Sequence, residues 1–316
     1  MGIAPTTWRI FCGLYCCLLV GCHTTVQDRS QGESTTADTP TIYVVNYPLQ
    51  YLAERIGGDH VEVVFPVPAG EDPAFWRPDA NTVSAFQAAD VILLNGARYA
   101  KWIDAVTLPE SKLVDTSAAF ADQYITLESA VTHSHGPGEH AHEGTAFTTW
   151  LDPQLASLQA KTIAQALARV APQHEHDFQR NLALVEDDLN ALDQQLQLAT
   201  QDHHATPLLY SHPVYQYLQR RYQLHGRSVH WEPEEPPTET MWEQLQTMLN
   251  EHPATWMLWE GPPTAETEKR LQALGVRSVV YAPCGNRPDQ GDFLERMQNN
   301  VVQLAAALAE PTPPSK

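Results

Sequence analysis

Cysteine is scarce in this 316-residue chain, above all in the part that must fold. Four of the five cysteines lie within the first 22 residues, which leaves Cys284 alone in the remainder. A single thiol cannot form an internal disulfide, so the fold must depend on a hydrophobic core, and a chain of this length can build one.

Positive charge is scarce as well. Lysine and arginine number 19 against 38 acidic residues, which gives a formal net charge of -19. An acidic surface repels phosphate backbones and attracts soluble cations, so we expect no nucleic-acid partner. The sequence also lacks a nucleophile elbow, a phosphate-binding glycine loop and a zinc-protease helix motif.

Long apolar runs are missing too. The run at residues 10–20 has the length of a signal-peptide core, whereas a membrane-spanning helix needs about 20 apolar residues. Residues 1–21 are therefore predicted to be a signal peptide. The run ends in Leu-Val-Gly-Cys at residues 19–22, which resembles the lipobox of bacterial lipoproteins and implies a lipid anchor on Cys22. The alternative is an ordinary secretory signal with Cys22 there by coincidence, and both interpretations place the domain outside the cytoplasm.

Beyond a polar tether at residues 22–40, short apolar runs alternate with helical patterns in two blocks, which is typical of parallel sheets flanked by helices. We predict an α/β fold with a first lobe at residues 41–172, a linking helix at residues 173–203 and a second lobe at residues 204–316. The predicted strands are residues 42–45, 61–67, 91–94 and 113–115, then 208–211, 227–231, 256–259 and 278–281. Predicted helices cover residues 49–56 and 81–89 and begin again near residues 214, 239, 265 and 292.

The linking helix is predicted from an uninterrupted helical pattern. Its apolar residues are spaced three and four apart and form one stripe: Leu182, Val185, Leu189, Leu192 and Leu196. Such a helix would be roughly 40 Å long, enough to reach both lobes. We expect it to be a rigid spine, and the leucine stripe to have a structural role only.

A histidine-rich loop at residues 131–144 carries the clearest metal signal. Four histidines flank a Gly-Pro-Gly turn that can bring them together: His133, His135, His140 and His142. Imidazole is the commonest nitrogen ligand for zinc, and a flexible loop lets several rings reach one ion. The alternative is a solvated polar loop without a defined site.

Further candidate ligands follow strands of the second lobe. Ligands of parallel sheets collect at the carboxyl ends of the strands, and four such side chains stand there: His212, His230, Glu232 and Glu260. Two imidazoles and two carboxylates suit zinc or manganese. Structural roles remain open for each of them, as a helix entry, a buried strand face or a helix cap.

Three other residues near the strand ends are open candidates. Glu71 and Asp72 could take part, or could cap the turn before Pro73. Cys284 could contribute a thiolate, although a lone buried thiol is more often inert.

The order of these parts resembles that of the zinc and manganese substrate-binding lipoproteins of bacterial ABC importers. The similarity runs from about residue 41 to residue 310. Its most specific segments are Trp-Leu-Asp-Pro at residues 150–153, Ser-His at 211–212, Trp-Glu-Gly-Pro at 259–262 and Met-Gln-Asn-Asn at 297–300. The resemblance implies two small α/β lobes around one ion, which three histidines and one carboxylate from four segments would hold.

Three of the four ligand positions that the resemblance implies hold other residues here. Ala74, Thr148 and Ala282 stand at those positions, and only His212 remains. An unmodified site of that family therefore cannot form.

Two explanations are open. In the preferred one, the histidine loop folds over the cleft and joins His212, while His230, Glu232 or Glu260 completes the coordination. It is preferred because histidines and carboxylates stand at other strand ends that face the same crevice. In the other, the cleft has lost its metal and the loop is a low-affinity collector or has no metal role.

The leading functional hypothesis is a lipid-anchored, monomeric receptor on the periplasmic side of a bacterial membrane. It would capture zinc, or manganese or another divalent first-row ion, and deliver it to an ABC permease with its ATPase. One alternative is a metal-dependent hydrolase in which Glu260 or Glu232 activates a metal-bound water. Another is a non-importing metal buffer, chaperone or surface interaction protein. The absence of catalytic motifs favours delivery, so we predict that the chain is not an enzyme.

Overall fold

Two parallel four-stranded sheets carry the fold in the computed structural model. It describes residues 1–2, 39–127, 132–134, 139–141 and 144–310, with side chains described outside residues 128–143. Both sheets belong to the compact unit Thr39–Lys316, as distinct from the unit Met1–Asp38. The first sheet has the order β2-β1-β3-β4 and consists of β1 (Thr41–Val44), β2 (Glu62–Val64), β3 (Val91–Leu94) and β4 (Leu113–Asp115).

Two short antiparallel pairs precede the second sheet. Their strands are β5 (Thr126–Leu127), β6 (Thr132–Ser134), β7 (Glu139–Ala141) and β8 (Gly144–Thr145), and β5 pairs with β8 while β6 pairs with β7. The second sheet has the order β10-β9-β11-β12 and consists of β9 (Pro207–Tyr210), β10 (His225–Ser228), β11 (Trp256–Trp259) and β12 (Arg277–Val280). Every pairing within the two large sheets is parallel.

Eight α-helices connect and cover these strands in the part of the chain that is described. They are α1 (Tyr47–Gly57), α2 (Ala80–Ala88), α3 (Pro153–Val170), α4 (Glu175–Thr200), α5 (Gln216–Tyr222), α6 (Glu239–Glu251), α7 (Ala265–Ala273) and α8 (Phe293–Ala309). Among the described residues, none of the helices is both long enough and apolar enough to cross a membrane. The α/β prediction with helix-flanked parallel sheets and one long helix is confirmed.

Most predicted strands are found within one or two residues of their expected bounds, but β2 is shorter than predicted. It ends at Val64, and Pro66 and Pro68 follow. Proline has no N–H to donate to a neighbouring strand, so the apolar run at residues 61–67 cannot pair along its whole length. The 18-residue helix α3 is absent from the predicted elements.

The long helix α4 runs for 26 residues, or about 39 Å. It begins at Glu175 and ends at Thr200, inside the predicted bounds, because a separate 3-10 turn at Pro172–His174 precedes it. All five residues of the predicted leucine stripe are buried. The helix packs against α1 and α3 beside the first sheet and against α5 and α8 beside the second, so it connects both halves.

One continuous apolar core passes through both sheets. It contains Ile42 of the first sheet, Leu189 of α4 and Leu258 of the second sheet. A second cluster, built around Trp242 and Trp259, covers the other face of the second sheet. Since the strands are packed on both faces, their carboxyl ends hold the side chains that follow them in fixed positions.

Candidate metal centre

The strand order reverses at the same point in both sheets: the second strand lies on one side of the first, and the third strand lies on its other side. The chain passes from β9 to β10 on one side of β9 and then to β11 on its other side, which creates a crevice at the carboxyl ends of β9 and β11. His212 follows β9 by two residues, and Glu260 directly follows β11. The two side chains therefore stand on either side of the position at which open α/β sheets bind ligands.

The segment after β10 brings two more candidates to this crevice. The parallel pairing continues beyond Ser228, because the Val229 N–H donates to the Tyr210 carbonyl at 2.8 Å and the Trp231 N–H to the Ser211 carbonyl at 2.7 Å. Side chains alternate along an extended segment, so His230 and Glu232 share the face opposite to Trp231. Trp231 is buried in the outer aromatic cluster, as the alternation predicts.

The four predicted strand-end ligands come together around His212. Its Nδ1 lies 3.0 Å from Oε1 of Glu232 and 3.8 Å from Oε1 of Glu260. The ring of His230 stands nearly perpendicular to that of His212, with 5.8 Å between their centroids. His212 is buried, while the two carboxylates are partly open to solvent. This arrangement offers imidazole nitrogen and carboxylate oxygen at one edge of the second sheet.

The electrostatics show an excess of negative charge around the buried imidazole of His212. Burial lowers the pKa of His212, but the hydrogen bond that its ring donates to Glu232 and the charges of Glu260, Glu232 and Asp72 outweigh it, so the pKa is raised. Burial, together with the charges of Glu232 and Asp72, raises the pKa of Glu260 to about 7 against the opposing charge of His212. Burial and the charge of His212 lower the pKa of His230 to about 4. His212 and Glu260 thus bind protons more readily than usual, and a divalent cation could displace those protons.

Asp72, an open candidate in the sequence, also acts at this site. Its charge acts on both His212 and Glu260, so the first lobe contributes a carboxylate to the same crevice. It also has the structural role considered for it, because its Oδ1 accepts a hydrogen bond from the Ala74 N–H at 2.9 Å. The sequence carries a signal for this role, because Asp72 stands two positions before Ala74, where the resemblance implies a histidine.

The residues at the three other ligand positions that the resemblance implies are buried or make hydrogen bonds through the backbone or a hydroxyl group. Ala74 is buried, and the hydroxyl of Thr148 donates to the Val214 carbonyl. The Asn300 side chain binds both backbone groups of Ala282, accepting from its N–H at 3.1 Å and donating to its carbonyl at 2.7 Å. None of these three side chains offers a metal ligand.

The histidine loop is only partly described. His133 of β6 and His140 of β7 are Cα partners across the antiparallel pair, and their side chains lie outside the description. His135 and His142 lie wholly outside the described residues. The predicted convergence of this loop on His212 therefore stays a prediction, as does the anchor at Cys22, which also falls outside the described residues.

Cys284 and Glu71, the other two open candidates, have contrasting surroundings, because Cys284 is buried and Glu71 is exposed. Burial raises the pKa of the Cys284 thiol to about 12, which keeps it protonated at neutral pH. Glu71 is exposed, and its carbonyl accepts from the Asn286 side chain at 2.8 Å. That bond is part of a connection between the two halves.

The segment at residues 283–287 ties the second sheet to the first lobe. The Pro283 carbonyl accepts from the indole of Trp150 at 2.8 Å, and the Gly285 carbonyl from the Tyr47 N–H at 2.9 Å. Arg287 donates to the Phe65 carbonyl at 2.8 Å. These bonds link the segment after β12 to the first lobe, so they limit how far the halves can separate.

The matched family and the similar proteins are described by zinc uptake, zinc binding or dependence on a metal. The model of a family described as zinc-uptake complex component A, periplasmic, matches residues 42–307. A protein of Treponema pallidum (strain Nichols) is 25% identical over 291 residues, which are 89% of this chain and 91% of that protein. The zinc-binding lipoprotein AdcA of Streptococcus pneumoniae (strain ATCC BAA-334 / TIGR4) is 22% identical over 82% of this chain, which spans 54% of AdcA. The solved structure of the metal-dependent lipoprotein YcdH from Bacillus subtilis superposes with a TM-score of 0.73 at 18% identity, covering 85% of this chain and 99% of YcdH.

Proposed function

The chain belongs to the family of periplasmic zinc-uptake complex component A, and from this premise we propose that it captures zinc and delivers it to the permease of an ABC importer. The family is one of metal-binding transport components, not one known for enzymes. The observation that carries the proposal is the group formed by His212, Glu232 and Glu260, with His230 beside it, at the strand-order change of the second sheet.

The donor set favours zinc over manganese as the cargo. Imidazole nitrogen suits zinc, whereas manganese prefers carboxylates, carbonyls and water. At a site with mixed nitrogen and oxygen ligands, zinc also binds more tightly than manganese in the general affinity order of divalent metals. A shell of His212, His230 and two glutamates would satisfy the four-coordinate geometry that zinc adopts.

The setting of this capture is part of the same proposal. We expect the protein to act outside the cytoplasm as a monomer, held at the membrane by a lipid on Cys22 and serving a permease with its ATPase. The net charge of -19 supports attraction of cations toward the site. Labelling with radioactive palmitate tests the anchor, because Cys22→Ser should abolish incorporation of the label.

Metal titration of the full chain tests the cargo and its ligands. Zinc should bind with one tight cleft site, and His212→Ala should weaken this binding by more than about 100-fold, beyond the 10- to 100-fold typical of residues that only support a ligand. His252→Ala is the matched control, since His252 is another buried histidine of the second lobe, whose ring contacts the Leu208 carbonyl at 2.9 Å. Glu232→Gln should also weaken binding, and its control is the exposed neighbour, Glu234→Gln.

The outcomes separate the rival functions. Tight zinc binding by His212→Ala would contradict the assignment of the site. A tight closed site with zinc uptake lost on deletion of the gene would support import. Zinc binding without any uptake defect would favour a buffer or chaperone, and turnover of an ester or phosphate would favour the hydrolase.

A further inference from the structure

A second group of metal-binding side chains lies at the end of the first lobe that is remote from the crevice. His60 closes the 3-10 turn Gly58–His60 between α1 and β2, at the amino end of the strands. His174 ends the 3-10 turn that precedes α4, and Asp177 lies in the first turn of α4. Helix α1 begins at the crevice side and has 11 residues, so its length separates the two places by about 16 Å.

The three side chains are within reach of one ion. Nε2 of His60 lies 3.1 Å from Oδ2 of Asp177, and the rings of His60 and His174 are stacked at 3.7 Å with 10° between their planes. One ligand atom from each residue lies within 4.8 Å of the other two. Ligand atoms around a tetrahedral zinc are about 3.4 Å apart. Small torsional changes that open the stacked rings would therefore bring all three onto one cation.

The backbone beneath these side chains is held in place. The ring of the buried residue Phe178 meets both imidazoles edge-on, at 6.0 Å from His60 and 6.3 Å from His174. The Asn181 side chain donates to the Ile56 carbonyl at 3.0 Å and so ties the end of α1 to α4. Only the side chains would need to adjust, which lowers the entropic cost of binding a cation.

Asp177 is already oriented for such a role. Its Oδ1 accepts from Arg180 at 2.6 Å, which leaves Oδ2 directed at His60. A bound cation would replace the hydrogen bond between His60 and Oδ2, while Arg180 would continue to orient the carboxylate. His176, whose side chain is 92% exposed, has its Nδ1 4.0 Å from Oδ1 of Asp177 and could supply a fourth ligand.

We propose that His60, His174 and Asp177 form a second divalent-metal site, independent of the crevice. Two imidazoles and one carboxylate select zinc, copper or nickel over magnesium and calcium. The three residues are half-exposed, so His176 or water completes the coordination and the ion exchanges readily. A bound ion would cross-link the α1–β2 connection to the start of α4.

Calorimetric titration with zinc tests this site in an untagged full chain from which the imidazoles of the crevice and of the histidine loop are removed. That background carries His212→Ala and His230→Ala, together with His133→Asn, His135→Asn, His140→Asn and His142→Asn. We expect one remaining site of modest affinity in it. His60→Ala together with His174→Ala should weaken the remaining binding at least tenfold, and Asp177→Asn should weaken it as well. The matched control is His203→Ala with His204→Ala, which removes two neighbouring imidazoles beyond the other end of α4 and should leave the titration unchanged.

Two results would overturn the proposal. One is the absence of any remaining zinc binding in the background chain, and the other is remaining binding that the His60 and His174 substitutions leave intact. Circular dichroism and urea unfolding check that each variant is folded, and broadening of the His60 and His174 ring NMR signals by Cu²⁺ gives a second readout in the unsubstituted chain. When His60 and His174 are substituted in an otherwise unchanged chain, tight zinc binding in the crevice should stay the same. Failure of this second site and failure of the crevice assignment are therefore distinguishable.

Discussion

Zinc binding at the crevice should weaken steeply as pH falls, and the number of protons displaced follows from the three perturbed groups. His212 has a raised pKa, because its carboxylate partners outweigh its burial, and burial raises the pKa of Glu260 to about 7. Each ligand that is protonated in the free protein lowers the apparent affinity by about tenfold for every pH unit below its pKa. His230, with a pKa lowered to about 4 by burial, is already neutral above pH 5 and adds no such dependence.

Glu260 alone should therefore weaken zinc binding by about 50-fold between pH 7 and pH 5, and His212, whose pKa is also raised, should add to this loss. Competition against a chromophoric chelator, corrected for the protonation of the chelator, measures this slope. Titrations in buffers with different heats of ionisation count the released protons directly. Glu260→Gln should reduce the slope by about one proton, whereas His230→Asn should weaken binding but leave the slope unchanged. An affinity that does not change between pH 5 and pH 7 would refute the reasoning.

Three further predictions concern the scaffold and the loop. Asp193→Ala should lower the free energy of unfolding by about 3 kcal/mol, measured in urea, because this buried carboxylate binds the guanidinium of Arg221 through both oxygens, and Asp193→Asn should cost less. Trp231→Ala should cost about 3–5 kcal/mol of stability and also weaken zinc binding, because Trp231 anchors the segment that carries His230 and Glu232; stable protein with unchanged affinity would contradict this. Deletion of residues 131–144 should weaken zinc binding strongly in calorimetry, and intact tight binding would show that the ligands lie wholly at the strand ends.

The strand ends could be predicted because apolar runs and their polar successors are local features. Residues 91–94 and 256–259 were expected as strands and are β3 and β11 with those bounds. The grouping of His212, Glu232 and Glu260 follows from the same pattern, since parallel neighbours bring their carboxyl ends to one edge. Side chains alternate along an extended segment, so this pattern predicts that Trp231 is buried and that His230 and Glu232 lie on the opposite face.

Other features depend on contacts between distant parts of the sequence, or on capping residues that periodicity does not register. The start of α3 is marked by Asp152, whose side chain caps the helix, and by Pro153 in its first turn, although α3 is absent from the predicted elements. The pairing of His60 with Asp177 joins residues 117 positions apart, and only the packing of α1 on α4 brings them together. Asp72 reaches the crevice through an irregular loop, for which periodicity gives no direction.

The central claim is that His212 and the carboxylates beside it hold the transported ion. Anomalous diffraction at the zinc edge, from crystals of the zinc-loaded full chain, tests it most directly. We predict a peak at about 2.0–2.2 Å from Nδ1 of His212 and from a carboxylate oxygen of Glu232 and of Glu260. A peak elsewhere, with His212 still directed at Glu232 and no metal between them, would contradict the account.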